Sequence, residues 1–324
     1  MKCMMVAASH SPLLDFPARE SASVLNIYAG IDAARGRITA FDPELVVFFG
    51  VDHYGGQHMA SMPSFCVGVE AEAIDDVGGT PGRLNVPREL AIEAVSAIRK
   101  LGVDTAASYA MEVDHGFSQS LSRFTGGVAT YPVLPIFMSC IQIPFSPYAR
   151  GRALGEAVGR FVQSLKYERV LFMGTGGLAH DPSGIFPPID VVSERWRPYI
   201  LHGNAQTEVD RQAWIDWEIA VHKRGAVQMA GDDVHDYDVG IRPEWDETFL
   251  DTLCAGDLTV FDNWDPEQVM ATAGIGAVET QTWVAAAQAM QTVTGAVPTR
   301  SLYAPSKEVG LGYGIVQAGP APAL

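Results

Sequence analysis

The chain of 324 residues carries 38 acidic against 22 basic side chains, a net charge of −16, which leaves no basic excess to neutralise phosphates and excludes a general nucleic-acid role. Hydrophobic content of 48% with 19% charged residues excludes a disordered chain and allows a substantial core. The four cysteines (Cys3, Cys66, Cys140, Cys254) are far apart, which disfavours a thiolate zinc site or disulfide scaffold and points to a reducing cytoplasm, and no run reaches the roughly 18–20 apolar residues that span a membrane.

Residues 4–8 read as a first buried strand ending at Ser9-His10-Ser11-Pro12, and the apolar run 3–8 is too short for a signal-peptide core. Residues 22–41 carry an imperfect helical stripe through Val24, Leu25, Ile27, Tyr28, Ile31 and Ile38. Residues 44–50 are apolar on both faces, as in a central strand, and deliver Asp52-His53. The Gly- and Pro-rich stretch 55–83 reads as loop with short strands, one at 65–69. An amphipathic helix over 87–101 sets Leu90, Ala94, Val95, Ile98 and Leu101 on one face, and a strand over 106–111 leads to Asp114-His115. Residues 131–138 are strand-like, although Pro132 and Pro135 point to an edge strand or strand ends. A helix over 151–165 and a strand over 169–173 follow, the latter running into Gly174-Thr175-Gly176-Gly177 and then His180. From 181 to 239 the pattern loosens into Pro-rich loop and a polar helix at 208–226, and the last third is mostly helical, firmest at 283–293.

Strands alternating with helices define an α/β fold: a central, mostly buried sheet flanked by helices, a site at the strand ends and a helical C-terminal third. No internal repeat or linker divides it, so residues 1–324 read as a single catalytic domain with a loop and helix elaboration around 181–243.

Four histidines, His10, His53, His115 and His180, end four apolar runs. Asp52 can position the His53 ring and Asp114 the His115 ring, because a carboxylate on one imidazole nitrogen fixes the tautomer and raises basicity at the other. Any one such pair is equally a polar strand end; four together point to one site. Gly174 to Ala179 fits G-x-G-x-x-A formally, but Pro182, Pro187 and Pro188 argue against the helix that a dinucleotide fold needs there. A tight turn that brings backbone close to a ligand and aims His180 inward is the better reading. His58, His202, His222 and His235 read as solvated, and the acidic run 232–238 lacks the spacing of an EF-hand. Residues 243–249 offer Glu244, Asp246 and Glu247 on a helix whose Trp245 and Phe249 face the core; acidic residues in a first turn are equally favoured by the helix dipole.

Taken in order, Ser9-His10-Ser11-Pro12, Val51-Asp52-His53, Val113-Asp114-His115-Gly116, Gly174 to His180 and Glu244-Trp245-Asp246 resemble the class III extradiol ring-cleavage dioxygenases, the family of protocatechuate 4,5-dioxygenase. The resemblance runs over nearly the whole chain. Phe41-Asp42-Pro43-Glu44-Leu45, Asp52-His53-Tyr54, Pro63-Ser64-Phe65-Cys66 and Thr282-Trp283-Val284-Ala285-Ala286 are similar to the branch acting on 2,3-dihydroxyphenylpropionate. The resemblance implies a non-haem Fe(II) held by His10, His53 and Glu244, with Asp246 as the alternative carboxylate, and open positions for a catechol and O₂. It also implies His180 as base toward the catechol and His115 as acid during ring opening.

The expected activity is cleavage of a catechol ring beside its diol with O₂, in aromatic-compound catabolism. A 3-substituted catechol such as 2,3-dihydroxyphenylpropionate is the first candidate; protocatechuate, gallate, an aminophenol or a larger aryl catechol are alternatives. A zinc hydrolase or a non-catalytic binding protein on the same scaffold are the rival classes. The resemblance further implies a homo-oligomer, with no nucleic-acid or membrane partner.

Overall fold

The computed structural model describes residues 1–17, 19–203, 211–230 and 240–320, with 226–230 described as backbone only. Strand β1 (Lys2–Ala8) is followed by α1 (Ala22–Phe41), β2 (Leu45–Gly50), β3 (Phe65–Gly68), β4 (Ala71–Ala73), β5 (Gly82–Arg83) and α2 (Arg88–Lys100). Next come β6 (Ala106–Ser108), β7 (Met111–Val113), α3 (His115–Thr125), β8 (Val133–Met138), α4 (Tyr148–Gln163) and β9 (Arg169–Thr175). Helices α5 (Arg197–His202), α6 (Arg211–Ala230), α7 (Pro243–Ala255), α8 (Pro266–Ala273) and α9 (Gln281–Thr294) precede the hairpin β10 (Thr299–Ser306) and β11 (Leu311–Ala318).

The main sheet has eight strands in the order β10-β11-β1-β9-β2-β8-β3-β6, and a smaller sheet has the order β5-β4-β7. Its middle four strands, β1, β9, β2 and β8, are mutually parallel, flanked by antiparallel β11 and β3. Alternation along each strand feeds two cores. Met5 and Ala7 of β1 join Val47 and Phe49 of β2 under α2, α4 and α9, while Met4, Val6, Phe48 and Val46 join the buried stripe of α1 and the Phe117, Leu121 and Phe124 face of α3. Each such fully buried aliphatic or aromatic side chain contributes about 1.5–3 kcal/mol by leaving water.

Three expectations change. The strand expected over 106–111 is split: β6 closes an edge of the main sheet while β7, after a turn, belongs to the small sheet and aims Asp114-His115 inward. The last third is not only helical, because its final residues form the β10–β11 hairpin on the main sheet. Gly312 and Gly314 on β11 and Pro305 on β10 are poor strand formers, so pairing with β1 sets this structure against weak local preference. Strand β8 is interior rather than at an edge, and Pro135 is tolerated because the β3 ladder stops at the Val67–Ile136 pair.

Candidate active site

Strands β1, β9 and β2 end side by side in register, with Ala8 opposite Thr175 and Phe49 opposite Gly174. Their carboxyl-end loops therefore carry His10, the turn to His180, and His53 to one place, where open α/β sheets bind ligands. From the small sheet, β7 brings His115 as the first residue of α3, with Asp114 as its cap. His10, His53, His115 and His180 line one cavity of about 260 Å³, together with the loop Asp181 to Phe186, Val221 and His222 of α6, and Val309 to Leu311.

The histidine rings pack on one another. His53 and His115 stack at 4.3 Å between centroids, and His10 meets them edge-on at 5.2 and 5.6 Å. His10 Nδ1 lies 2.9 Å from the Thr175 hydroxyl, itself 2.8 Å from that of Ser120, which turns His10 Nε2 toward the cluster. His53 Nε2 lies 3.2 Å from one oxygen of Glu279, and His10 Nε2 lies 3.9 Å from the other. Glu279 is fully buried at the end of a short 3-10 turn leading into α9, and its Oε2 accepts the Gly177 N–H at 2.8 Å. Gly176 makes this approach possible: it has φ +138°, and a side chain there would stand 2.6 Å from the Glu279 Cβ.

The carboxylate beside the two histidines is thus Glu279, and neither Glu244 nor Asp246 reaches them. Glu244 is exposed in the first turn of α7, where the helix dipole suffices to explain an acidic residue. Asp246 is buried but faces elsewhere, accepting from the Ala179 N–H at 2.7 Å and the Tyr303 hydroxyl at 2.8 Å; burial raises its carboxyl to about 6. Trp245 and Phe249 stack and Phe249 is buried, as their four-residue spacing predicts.

The aspartates also act differently from the expected Asp-His pairing. Asp52 does not hold His53; its carboxylate accepts the N–H groups of Gly56 and Gln57 at 2.9 and 3.0 Å and shapes the loop leaving β2. Asp114 takes that place, accepting the His53 backbone N–H and lying 3.4 Å from its Nδ1, besides capping α3 through Gly116. His115 is held instead by Asp76, whose Oδ2 lies 2.6 Å from the ring Nδ1 and 3.0 Å from the backbone N. His180 Nδ1 donates to the Leu178 carbonyl at 2.8 Å, leaving Nε2 as its acceptor. Side chains at Gly177 or Gly276 would overlap the His180 ring. The turn after β9 is tight and no helix follows it until α5, so the dinucleotide reading fails as expected.

Electrostatics single out the same residues. Burial would raise the Glu279 carboxyl, but the hydrogen bond from His53 and the potential of His10 and His53 outweigh it and hold it at about 2. Burial would lower His53, yet Asp114 and Glu279 lift it well above the ordinary imidazole range. Burial takes His10 down to about 3, and burial with the His53 ring takes His115 to about 4. A buried cluster of imidazoles and ionised carboxylates is costly unless the negative charge is matched by positive charge. The carboxylates that hold a proton on His53 would equally hold a divalent cation in its place. Two imidazole nitrogens and one carboxylate, all buried, fit such an ion. His10, His53 and His115 also bring ring nitrogens within 4.8 Å of one another.

Sequence reasoning missed Glu279, Asp76, Thr175 and His222. His222, expected to be solvated, is buried against Phe186, whereas His202 is exposed, and His58 is half-buried against Tyr199. His235 and the acidic run 232–238 lie outside the described residues. Glu279 did carry a signal: it is a lone acid just ahead of a helix that is apolar nearly all round, a place where a carboxylate needs a buried partner.

Residues 4–308 match the family described as the catalytic LigB subunit of aromatic ring-opening dioxygenase, and the chain belongs to that family. It is similar over its length to proteins named 2,3-dihydroxyphenylpropionate/2,3-dihydroxicinnamic acid 1,2-dioxygenase. That of Mycolicibacterium paratuberculosis is 38% identical, covering 99% of this chain and 100% of the relative. Those of Azotobacter vinelandii and Escherichia coli are each 37% identical, covering 98% of this chain and 98% and 99% of the relatives. The protein is an extradiol catechol dioxygenase. Among the described residues no helix is long and apolar enough to cross a membrane.

Proposed function

We propose that this chain, acting as one catalytic domain, is an Fe(II)-dependent enzyme that cleaves a 3-substituted catechol beside its diol. The observation that carries the reading is that His10 and His53, which line the cavity together with His115 and His180, both meet the buried carboxylate of Glu279. His10, His53 and Glu279 would hold the iron, which would supply open positions for the diol and O₂ and a path for electrons between them. The cavity, about 260 Å³, suits a small aromatic ring better than the drug-sized ligands of pockets of about 300–1,000 Å³.

His180 has the geometry of a base. Its Nδ1 hydrogen is committed to the Leu178 carbonyl, so its Nε2 lone pair is free to take a catechol proton. His115, across the site, is the acid that returns a proton as the ring opens. Phe186, 4.9 Å from the His53 ring, and Ile185 keep that part of the site apolar.

The names of the relatives make 2,3-dihydroxyphenylpropionate a compound to try first. A cytoplasmic location is supported by four free cysteines, and assembly as a homo-oligomer rests on the family resemblance alone. The test is reconstitution with Fe(II) under argon, then admission of O₂ with a panel of catechols. The expected result is a yellow ring-fission product with one O₂ consumed per catechol; tightly held zinc with hydrolytic activity would refute the reading.

The contact of Gly276 with His180 gives a sharper check. Gly276→Ala pushes on the ring, whose atoms are the nearest to the added methyl group. It is expected to keep its iron and lose about 10²-fold in kcat, the usual cost of misplacing a catalytic group by about 1 Å. Unchanged kcat would show that His180 need not sit there.

A further inference from the structure

Beyond the four histidines at the strand ends, the cavity is lined by Val221, His222 and Gly225 of α6 and by Ile185 and Phe186 of the loop after β9. His222 is 6% exposed, with its ring 6.2 Å from that of Phe186. Its Nδ1 lies 2.8 Å from the carbonyl oxygen of Glu218 one turn earlier. A carbonyl only accepts, so Nδ1 carries the hydrogen and, in the neutral ring, Nε2 keeps a lone pair. Among the described residues Nε2 has no hydrogen-bond partner. Burial pulls the ring down to about 3, so it is neutral near pH 7.

The charge around it is one-sided. Among the described residues no Lys or Arg lines the cavity, while Asp181 does. Residues 204–210 and 226–239 contain no Lys or Arg in their sequence, so they bring no such cation. A substituent ending in a carboxylate at His222 would meet a lone pair rather than a donor, and no Lys or Arg of the lining to offset its desolvation. One ending in O–H or N–H would satisfy the lone pair, with its alkyl part between Phe186, Ile185 and Val221.

Resting on the dioxygenase reading, we propose that His222 recognises the ring substituent, and that the favoured substrate is a catechol whose 3-substituent is uncharged and ends in a hydrogen-bond donor. This departs from the acid in the relatives' names, and a matched set of compounds decides between them. 2,3-Dihydroxyphenylpropionate, its primary amide and 3-propylcatechol have similar shapes and differ in charge and hydrogen bonding.

The experiment measures kcat/KM for the three on the Fe(II)-loaded enzyme, and their dissociation constants without O₂, for the native chain and His222→Phe. In the native chain the amide is expected to exceed both others by about tenfold in both measurements, the weight of one well-made hydrogen bond. In His222→Phe the ratio of amide to 3-propylcatechol is expected to fall to near one. Preference of the native chain for the acid overturns the proposal while leaving the dioxygenase reading intact, and so does an unchanged ratio in the variant. If the variant does not fold, the ranking by the native chain decides. No turnover of any catechol by enzyme shown to contain iron overturns the dioxygenase reading itself and this proposal with it.

Discussion

Glu279→Gln is expected to purify with little iron and no measurable ring cleavage, whereas Glu244→Gln keeps both. Glu279 is the only carboxylate among the described residues that faces both His10 Nε2 and His53 Nε2, at 3.9 and 3.2 Å. Replacing it by the neutral amide keeps the shape and an acceptor for the Gly177 N–H. What it removes is the negative charge that a divalent ion needs in a buried site of neutral imidazoles. Changing an outer partner of a metal ligand costs about 10–100-fold in affinity, so loss of a ligand should cost at least about 100-fold. Metal analysis after dialysis against Fe(II) buffers reads this directly, and a Glu279→Gln protein that keeps stoichiometric iron would remove Glu279 from the ligand set. Glu244 is exposed at the start of α7, and its substitution should change stability by no more than a few tenths of a kcal/mol.

That pair of variants also marks where the sequence was legible. His10, His53, His115 and His180 each end an apolar run, and apolar runs in an α/β protein become parallel strands whose carboxyl ends meet; pattern alone was enough to gather them. Helix α1 was legible to its ends, because Ser21 caps it and Asp42 closes it in the left-handed region. Glu279 was obscured by distance along the chain. It reaches the site only because α9 packs on β9 and β1, a contact that no local period reports. Asp76 was hidden in the same way, in a Gly-rich loop with no period, and Asp52 and Asp114 misled because neighbours in sequence looked like partners. Three-dimensional pairing crosses them: Asp114 serves His53, and Asp76 serves His115.

His115→Ala is expected to keep its iron and to lose about 10²–10⁴-fold in kcat, the range for removing a general acid or base. Its ring nitrogens come near those of His10 and His53, so a third-ligand role is the rival, and iron content separates the two. Geometry favours the acid. Glu279 already completes a set of two imidazoles and a carboxylate, and the His115 Nδ1 is committed to Asp76 at 2.6 Å. A contact that short holds one proton between carboxyl oxygen and ring nitrogen. Burial, with Asp114 nearby, raises the Asp76 carboxyl well above its usual range, while burial and the His53 ring lower His115, so that proton favours Asp76. The ring then carries its own hydrogen on Nε2, facing the site. As Nε2 gives up its proton to the opening ring, Nδ1 can take the one from Asp76, so no buried imidazolium has to persist. Asp76→Asn keeps the contact but removes the transferable proton. It should therefore retain iron and catechol affinity while losing about 10–10²-fold in kcat, a smaller loss than His115→Ala. An Asp76→Asn enzyme with native kcat would show that Asp76 only positions the ring, and a His115→Ala protein without iron would make His115 a ligand instead of the acid.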